Sequence, residues 1–134
     1  DVAAPDRRTH VQCVTSLTVA DDGLLTPWEG VVWCNPPYSN PAPWCRKWAN
    51  HTPGGCLLIR SDLSTSGPFV AFTAAHAMYV PPKRLQFFSG AGKPTGAANF
   101  STVLLGRGED AVAGMLRLSD VFAGTTRILQ QAAA

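Results

Sequence analysis

Hydrophobic residues occur along the chain in short runs that polar residues, glycine and proline interrupt. Runs of β-branched, aromatic and small apolar residues predict buried strands. Four segments carry this pattern: Val31–Asn35, Cys56–Ile59, Ala77–Val80 and Phe100–Leu105. The first and third are followed directly by two prolines, which supply no N–H to a strand ladder. These strands are therefore expected to stop abruptly.

The segments between and after the strands are typical of helices. Acidic residues stand near the starts of the last two, and arginine stands nearer their ends, which matches the helix dipole. The predicted helices are Pro43–Asn50, Ser66–His76, Glu109–Leu118 and Ser119–Gln131. Weaker patterns predict a short strand at Val11–Val19, an extended piece at Leu85–Phe88 and a glycine-rich loop at Gly90–Gly96.

Alternation of strand and helix favours an α/β fold with a mostly parallel sheet. The last two extended pieces have no helix between them, so we expect an antiparallel hairpin at one sheet edge. Ligands of open α/β sheets bind beyond the carboxyl ends of the strands. Two segments lie at the carboxyl ends of predicted strands: Asn35–Tyr38 and Arg60–Asp62. We expect chemistry at these two segments.

Composition indicates one globular domain spanning residues 1–134. The chain has 134 residues, of which 46% are hydrophobic and 15% charged, enough apolar material for one core. The net charge of +2 neither identifies nor excludes a nucleic-acid binder. No apolar stretch reaches roughly 20 residues, so we expect no membrane span, and the first ten residues do not resemble a signal peptide.

The four cysteines predict reduced thiols in a cytosolic protein and no metal site. No C-x-x-C pair occurs, and no histidine stands at zinc-ligand spacing from a cysteine. His10, His51 and His76 are isolated in the sequence, and we assign them no catalytic role. Trp44 and Trp48 are one helical turn apart, which is typical of a stripe facing the core.

The segment Asn35-Pro36-Pro37-Tyr38 has two interpretations. It is either a plain turn or an active-site lip that activates a planar amino group. The lone pair of such a nitrogen is delocalised, and two acceptors binding its N–H groups would make it more nucleophilic. The Asn35 side-chain carbonyl and the Pro36 backbone carbonyl suit that role, with two prolines keeping them aimed. Tyr38 offers a ring on which a base can stack.

The same segment resembles the [D/N/S]-P-P-[Y/F/W] motif of amino-directed methyltransferases that use S-adenosylmethionine. A longer match is similar to the phage-type DNA N-6-adenine methyltransferase (Dam) family and covers roughly the first 105 residues. Its residues are Asp21-Asp22-Gly23-Leu24, Trp28, Gly30, Val32–Ser39, Arg60-Ser61-Asp62, Phe69, Arg84–Phe87 and the Phe100–Leu105 strand. The resemblance implies a Rossmann-like methyltransferase sheet. The helical pattern of the residues beyond it predicts a C-terminal helical extension over residues 108–134.

The resemblance implies S-adenosylmethionine as cofactor, double-stranded DNA as partner and no metal. Catalysis would fall to Asn35–Tyr38. Asp1 would lie by the methionine or ribose part of the cofactor, and Asp22 and Leu24 by its adenine. For Asp22, a turn or capping role is the alternative. The family normally has a segment before Asp1 that carries the first strand, and this chain is expected to lack it.

Four residues are candidates for contact with the substrate: Tyr38, Arg60, Asp62 and Arg84. Arg60 and Asp62 would line the cleft, or would pair with each other. Arg84, with Lys83 and Lys93, would contact phosphates, or would be a solvated loop charge.

The predicted activity is methylation of adenine N6 in DNA, in the cytoplasm of a phage-infected or prophage-carrying bacterial host. Cytosine N4, an RNA base or a protein amide are alternative substrates. A non-catalytic fold that binds DNA or a protein is the other alternative.

Overall fold

The structure is a computed structural model that describes residues 1–6, 11–89, 91–97 and 99–130. Its elements follow a short 3₁₀ helix at Val19–Asp21. In chain order they are β1 (Val32–Cys34), α1 (Ala42–Asn50), β2 (Gly55–Arg60), α2 (Ser66–Ala74), β3 (Ala77–Val80), β4 (Gln86–Phe88), β5 (Pro94–Ala97), β6 (Thr102–Arg107), α3 (Glu109–Phe122) and β7 (Thr125–Ile128).

The main sheet has five strands in the order β1-β2-β6-β3-β7. β1 and β2 are parallel, with Trp33 opposite Cys56. The other three pairings, β2·β6, β3·β6 and β3·β7, are antiparallel. The chain is α/β as expected, but the prediction of a mostly parallel sheet is wrong. Because β6 reverses direction between β2 and β3, strands β1, β2 and β3 still run the same way.

Alternation along β2 divides the core into two layers. Leu57 and Ile59 face one side of the sheet and pack with residues of α1 and α2. Leu58 faces the other side and packs with Tyr79 and Met115, the latter from α3. Buried residues at alternating positions therefore place α1 and α2 on one face and α3 on the opposite face.

The strand β6 lies inside the sheet, which the sequence pattern did not indicate. It was expected to form an edge hairpin with the piece at Leu85–Phe88, but that piece pairs instead with β5 in a separate two-stranded sheet. Five consecutive residues of β6, Thr102–Gly106, are buried because α1 and α2 cover one face and α3 the other. Such an unbroken apolar run fits a central position better than an edge.

Predictions near both ends of the chain are wrong. Ser119–Gln131 is not a second helix, since α3 continues to Phe122 and Thr125–Ile128 pairs with β3. The expected helical extension thus adds an edge strand to the main sheet. A turn at Ala123-Gly124, both with positive φ, separates the two elements. The predicted strand at Val11–Val19 is irregular chain ending in the 3₁₀ helix.

The predicted loop at Gly90–Gly96 is also wrong in its second half, because β5 begins at Pro94 and pairs with β4. The helix predicted over Glu109–Leu118 begins as expected but extends four residues further, to Phe122. The remaining predicted elements agree with the structure within about two residues, the usual uncertainty of element ends. His10, Gly90 and the end of the chain from Gln131 lie outside the described residues.

Candidate active site

The motif Asn35–Tyr38 lies at the carboxyl end of β1, between the strand and α1. β1 ends at Cys34, and α1 begins at Ala42 after a proline-rich connection that has no backbone N–H at Pro36, Pro37 and Pro41. The side chain of Pro36 is fully buried, whereas Pro37 is exposed. One proline thus anchors the turn in the core and the other borders solvent.

Tyr38 contacts Asn35 directly. The Tyr38 hydroxyl donates a hydrogen bond of 2.8 Å to Asn35 Oδ1. Burial is the main cause that raises the pKa of Tyr38, the nearby Cys34 raises it further, and Arg60 opposes the shift. The hydroxyl is therefore a neutral donor throughout the physiological range, and it occupies the oxygen expected to accept from a substrate amino group.

An aromatic cluster surrounds the Tyr38 ring. Phe87 of β4 and Phe100 lie edge-on to it, with ring centroids 5.9 and 5.1 Å away. The guanidinium of Arg60 stacks on the Phe100 ring, with Cζ 4.1 Å from the ring centroid. Because Arg60 ends β2, this contact links the carboxyl end of the second strand to the motif at the end of the first.

The segment Asp1–Ala4 runs beside β1. The Val2 N–H donates to the carbonyl of Trp33 (3.0 Å), and Val2 and Ala4 are buried. Asp1 Oδ1 accepts the N–H of Ala3, and its terminal ammonium donates to the Thr15 carbonyl. Asp1 is thereby brought to the edge of the sheet next to the motif.

Asp22 forms a tight turn after the 3₁₀ helix. Its φ of 50° is left-handed, and Oδ1 accepts the N–H groups of Leu24 (3.1 Å) and Leu25 (3.3 Å). Asp22 Oδ1 therefore has the turn or capping role that was the alternative for this residue. The turn also places Asp22 and Gly23 on the wall of a cavity.

That cavity is a cleft of about 870 Å³. Among the predicted site residues, six line it: Asp1, Asp22 and the four residues Asn35, Pro36, Pro37 and Tyr38. Residues far apart in sequence are thus brought together at the carboxyl end of β1. Other lining residues include Ala3, Leu17, Trp44 and Phe88, so the walls combine apolar surface with two carboxylates and an amide.

The remaining predicted residues do not line the cleft. Leu24 follows the Asp22 turn, and Arg60 reaches the site through Phe100. The Asp62 carboxylate accepts from the N–H and hydroxyl of Ser64, which lowers the pKa of Asp62. The structure therefore gives Arg60 and Asp62 separate partners. Arg84 lines a second, mainly apolar cavity of about 610 Å³ instead.

Sequence reasoning missed several residues around the cleft. Trp44 packs against the core as expected, like the fully buried Trp48, but it also lines the cleft and stacks on Trp28, with ring centroids 6.4 Å apart. Phe87 and Phe100 were assigned to extended segments without a role beside Tyr38. Aromatic residues standing immediately before or within strands are too common to single out, and only their meeting at Tyr38 distinguishes these two.

The histidines that the structure describes, His51 and His76, and the four cysteines lie outside the cleft lining. His76 Nδ1 accepts the N–H of Gly108 (3.1 Å), and burial lowers the pKa of His76. His51 lies edge-on to Trp28. The four cysteines carry free thiols. Among the described residues, no three His, Cys, Asp or Glu side chains lie close enough together to bind a metal ion. The described helices include none with the length and hydrophobicity of a membrane span.

Comparison with known proteins identifies a family. The family model described as DNA N-6-adenine-methyltransferase (Dam) matches residues 1–109. No curated protein and no solved structure matches the chain. The matched range includes β1 to β6 and every residue of the cleft described above. The chain therefore belongs to the DNA N-6-adenine-methyltransferase (Dam) family, as the longer resemblance over its first 105 or so residues predicted, and is an S-adenosylmethionine-dependent DNA adenine methyltransferase.

Proposed function

We propose that the cleft at the carboxyl end of β1 is where the chain methylates N6 of an adenine flipped out of double-stranded DNA. One observation carries this proposal: Asp1, Asp22 and Asn35–Tyr38 line a single cavity. A base inside a duplex cannot reach such a cavity, so it must leave the stack. The cleft then holds methyl donor and acceptor together, as an in-line transfer requires.

Asn35 and Pro36 are the proposed acceptors for the two amino hydrogens of the base. Asn35 Oδ1 and the Pro36 carbonyl would hold both hydrogens, so that the nitrogen lone pair turns out of the ring plane. That lone pair forms the new N–C bond. Afterwards the amino nitrogen releases one proton, which Asn35 Oδ1 can hydrogen-bond as it departs to solvent. Neither acceptor titrates, so both keep their role across neutral pH.

Tyr38 has two proposed roles. Its ring, steadied by Phe87 and Phe100, offers a stacking surface for the flipped base. Its hydroxyl holds Asn35 Oδ1 until the amino group arrives. The incoming base must replace that hydrogen bond with its own.

The residues present fit S-adenosylmethionine. About 870 Å³ lies in the range of roughly 300–1,000 Å³ typical of small-molecule sites. The carboxylates of Asp1 and Asp22 suit the hydroxyl, amino and ammonium groups of such a ligand, and Ala3, Leu17 and Trp44 supply apolar wall. Leu24 would support the adenine side from behind the Asp22 turn. When bound, the cofactor supplies a methyl carbon whose bond to sulfur breaks, with the electron pair staying on sulfur.

Contacts to the DNA backbone are proposed for exposed cations near the cleft. Arg60 is exposed and lies against the aromatic cluster, so its guanidinium can meet a phosphate beside the flipped base. Arg84 stands by the second cavity and would contact a more distant phosphate. Asp62 would border the substrate cleft at the end of β2. The proposed place of action is the cytoplasm of a phage-infected or prophage-carrying bacterium, where the substrate DNA lies.

The test is methyl transfer to unmethylated duplex DNA, followed by digestion and mass detection of modified nucleosides. We expect N6-methyladenine from the parent chain. Asn35→Ala removes one acceptor and should reduce kcat by about 10²–10³, as loss of one pre-organised polar contact to the reacting group typically does. Gln12→Ala, an exposed amide outside the cleft lining, is the matched control and should retain activity.

Each outcome has a distinct meaning. An Asn35→Ala variant as active as the parent would overturn the proposed site. N4-methylcytosine in place of N6-methyladenine would retain the acceptor mechanism and overturn the choice of base.

A further inference from the structure

The ammonium of Lys47 binds the backbone of the Asp22 turn. Lys47 Nζ donates to three backbone carbonyls, those of Gly23 (3.0 Å), Leu24 (2.8 Å) and Thr26 (2.5 Å). An ammonium has three N–H donors, so the turn uses all of them. The same nitrogen lies 4.8 Å from the centroid of the Trp28 ring. One side chain of α1 thus binds a loop more than twenty residues earlier in the chain.

Other contacts leave the turn little room to move. Trp28 Nε1 donates to the Gly23 carbonyl at 2.7 Å. Gly23 packs so closely that an added Cβ would stand 2.2 Å from the carbonyl oxygen of Val2 and 2.9 Å from Trp44 Cη2. The turn is therefore held against the Asp1–Ala4 segment and against α1 at once.

We propose that Lys47 is a positioning residue for the cofactor: it fixes the Asp22 turn relative to α1, the helix that follows Asn35–Tyr38. The inference rests on the proposed function, in which Asp22 contacts the cofactor. Lys47 does not line the cleft. It acts through the carbonyls it binds, and these belong to the turn that presents Asp22 and Gly23 to the cleft.

A cation is required at this position because three carbonyl oxygens converge there. Desolvation lowers the pKa of Lys47, and the Asp22 carboxylate opposes that shift. An apolar side chain of equal length would fill the space but leave the carbonyls of Leu24 and Thr26 without the Lys47 donor, and the Gly23 carbonyl with Trp28 Nε1 alone. The turn would then rearrange toward water and carry Asp22 with it.

The experiment compares Lys47→Met, Lys47→Arg and the matched control Arg46→Met. Arg46 is the exposed neighbour on α1, and its guanidinium donates to the hydroxyl of Ser66 at the start of α2 rather than to the turn. Binding of S-adenosylhomocysteine is measured by calorimetry, and KM is measured separately for S-adenosylmethionine and for duplex DNA. Hydrogen exchange reports the amides of Leu24–Thr26 in the absence of any ligand.

We expect Lys47→Met to weaken S-adenosylhomocysteine binding by roughly 10- to 100-fold, as the loss of hydrogen bonds to a charged group implies. The KM for S-adenosylmethionine should rise in parallel, while the KM for DNA and the kcat at saturating cofactor stay near the parent values. Exchange at Leu24–Thr26 should accelerate, and exchange at Leu57–Ile59 in β2 should not. Lys47→Arg should restore most of the affinity, and Arg46→Met should change none of these quantities.

Three results would overturn the inference in different ways. Equal affinity of the parent and Lys47→Met for S-adenosylhomocysteine would overturn the role of Lys47 alone. Failure of the parent to bind S-adenosylhomocysteine would overturn the proposed cofactor site together with it. A uniform loss, in which the KM for DNA rises as much as that for the cofactor, would show that Lys47 supports the fold as a whole and would likewise overturn the positioning role.

Discussion

At the scale of single residues, the central feature is that the acceptor oxygen of Asn35 already has a donor. The Tyr38 hydroxyl occupies Asn35 Oδ1, so the motif is internally satisfied. In the proposed site, the substrate amino group would have to compete with the Tyr38 hydroxyl for this oxygen. The ring and the hydroxyl of Tyr38 would then have opposite effects on binding of the base, and substitution can separate them.

Tyr38→Phe keeps the ring and removes the hydroxyl. We expect the KM for DNA to fall by about two- to tenfold, the factor that corresponds to a typical net hydrogen bond, because the base no longer displaces the hydroxyl. Tyr38→Ala should instead raise that KM, since it also removes the stacking surface. Steady-state kinetics with a duplex oligonucleotide measures both. A rise of equal size in the two variants would show that the hydroxyl assists binding and does not compete with it.

At the scale of elements, the packing around a glycine decides whether a larger side chain can replace it, as Gly23 in the Asp22 turn and Gly114 in α3 show. Gly23 lies against the carbonyl of Val2 and the ring of Trp44, whereas Gly114 of α3 has open space where a Cβ would stand. The same substitution should therefore have opposite signs at the two positions.

Gly23→Ala should lower the free energy of unfolding by about 1–3 kcal/mol, because its methyl group must displace backbone as well as Trp44. Gly114→Ala should raise it by about 0.5–1 kcal/mol, since alanine favours a helix interior over glycine. Urea denaturation followed by circular dichroism measures both values. A Gly23→Ala variant as stable as the parent would mean that the contact with the Val2 carbonyl relaxes at no cost.

The fold could be predicted from sequence where a pattern is local. The strands β1, β2 and β3 and the helices α1 and α2 have apolar runs bounded by proline, glycine or caps, and their positions were correct within about two residues. β7 was missed because Thr125–Ile128 is short and continues a helix-like pattern from α3. Only pairing with β3 makes it a strand, and that partner lies 45 or more residues earlier.

At the scale of the whole molecule, the net charge is small, so the positions of individual cations matter more than the total. A net charge of +2 supplies little general attraction to DNA. Binding should then depend on a few cations near the cleft, and Arg60 on the aromatic cluster is the best placed of them.

Arg60→Gln should therefore weaken DNA binding and reduce the slope of log K against log salt concentration by about one, as expected for the loss of one phosphate contact. Arg117→Gln is the matched control, because Arg117 is exposed on α3, which covers the other face of the sheet. Fluorescence anisotropy with a labelled duplex between low and moderate salt measures both slopes. An unchanged slope for Arg60→Gln would remove Arg60 from the proposed DNA contacts, and the same comparison for Arg84→Gln tests its more distant position.

The family could be recognised from the residues alone, because the longer resemblance over the first 105 or so residues is confirmed by the family match. The motif Asn35-Pro36-Pro37-Tyr38 is contiguous, so its carbonyl groups, stiff backbone and aromatic ring follow from residue type, but the motif left the choice of substrate open. Tertiary structure decided the strand order, the insertion of β6 between β2 and β3, and which distant residues meet at the cleft. Antiparallel pairing, the Tyr38–Phe87–Phe100 cluster and the binding of Lys47 to the Asp22 turn all depend on contacts between remote segments. Local propensity does not encode such contacts, because burial and packing of the whole chain select them.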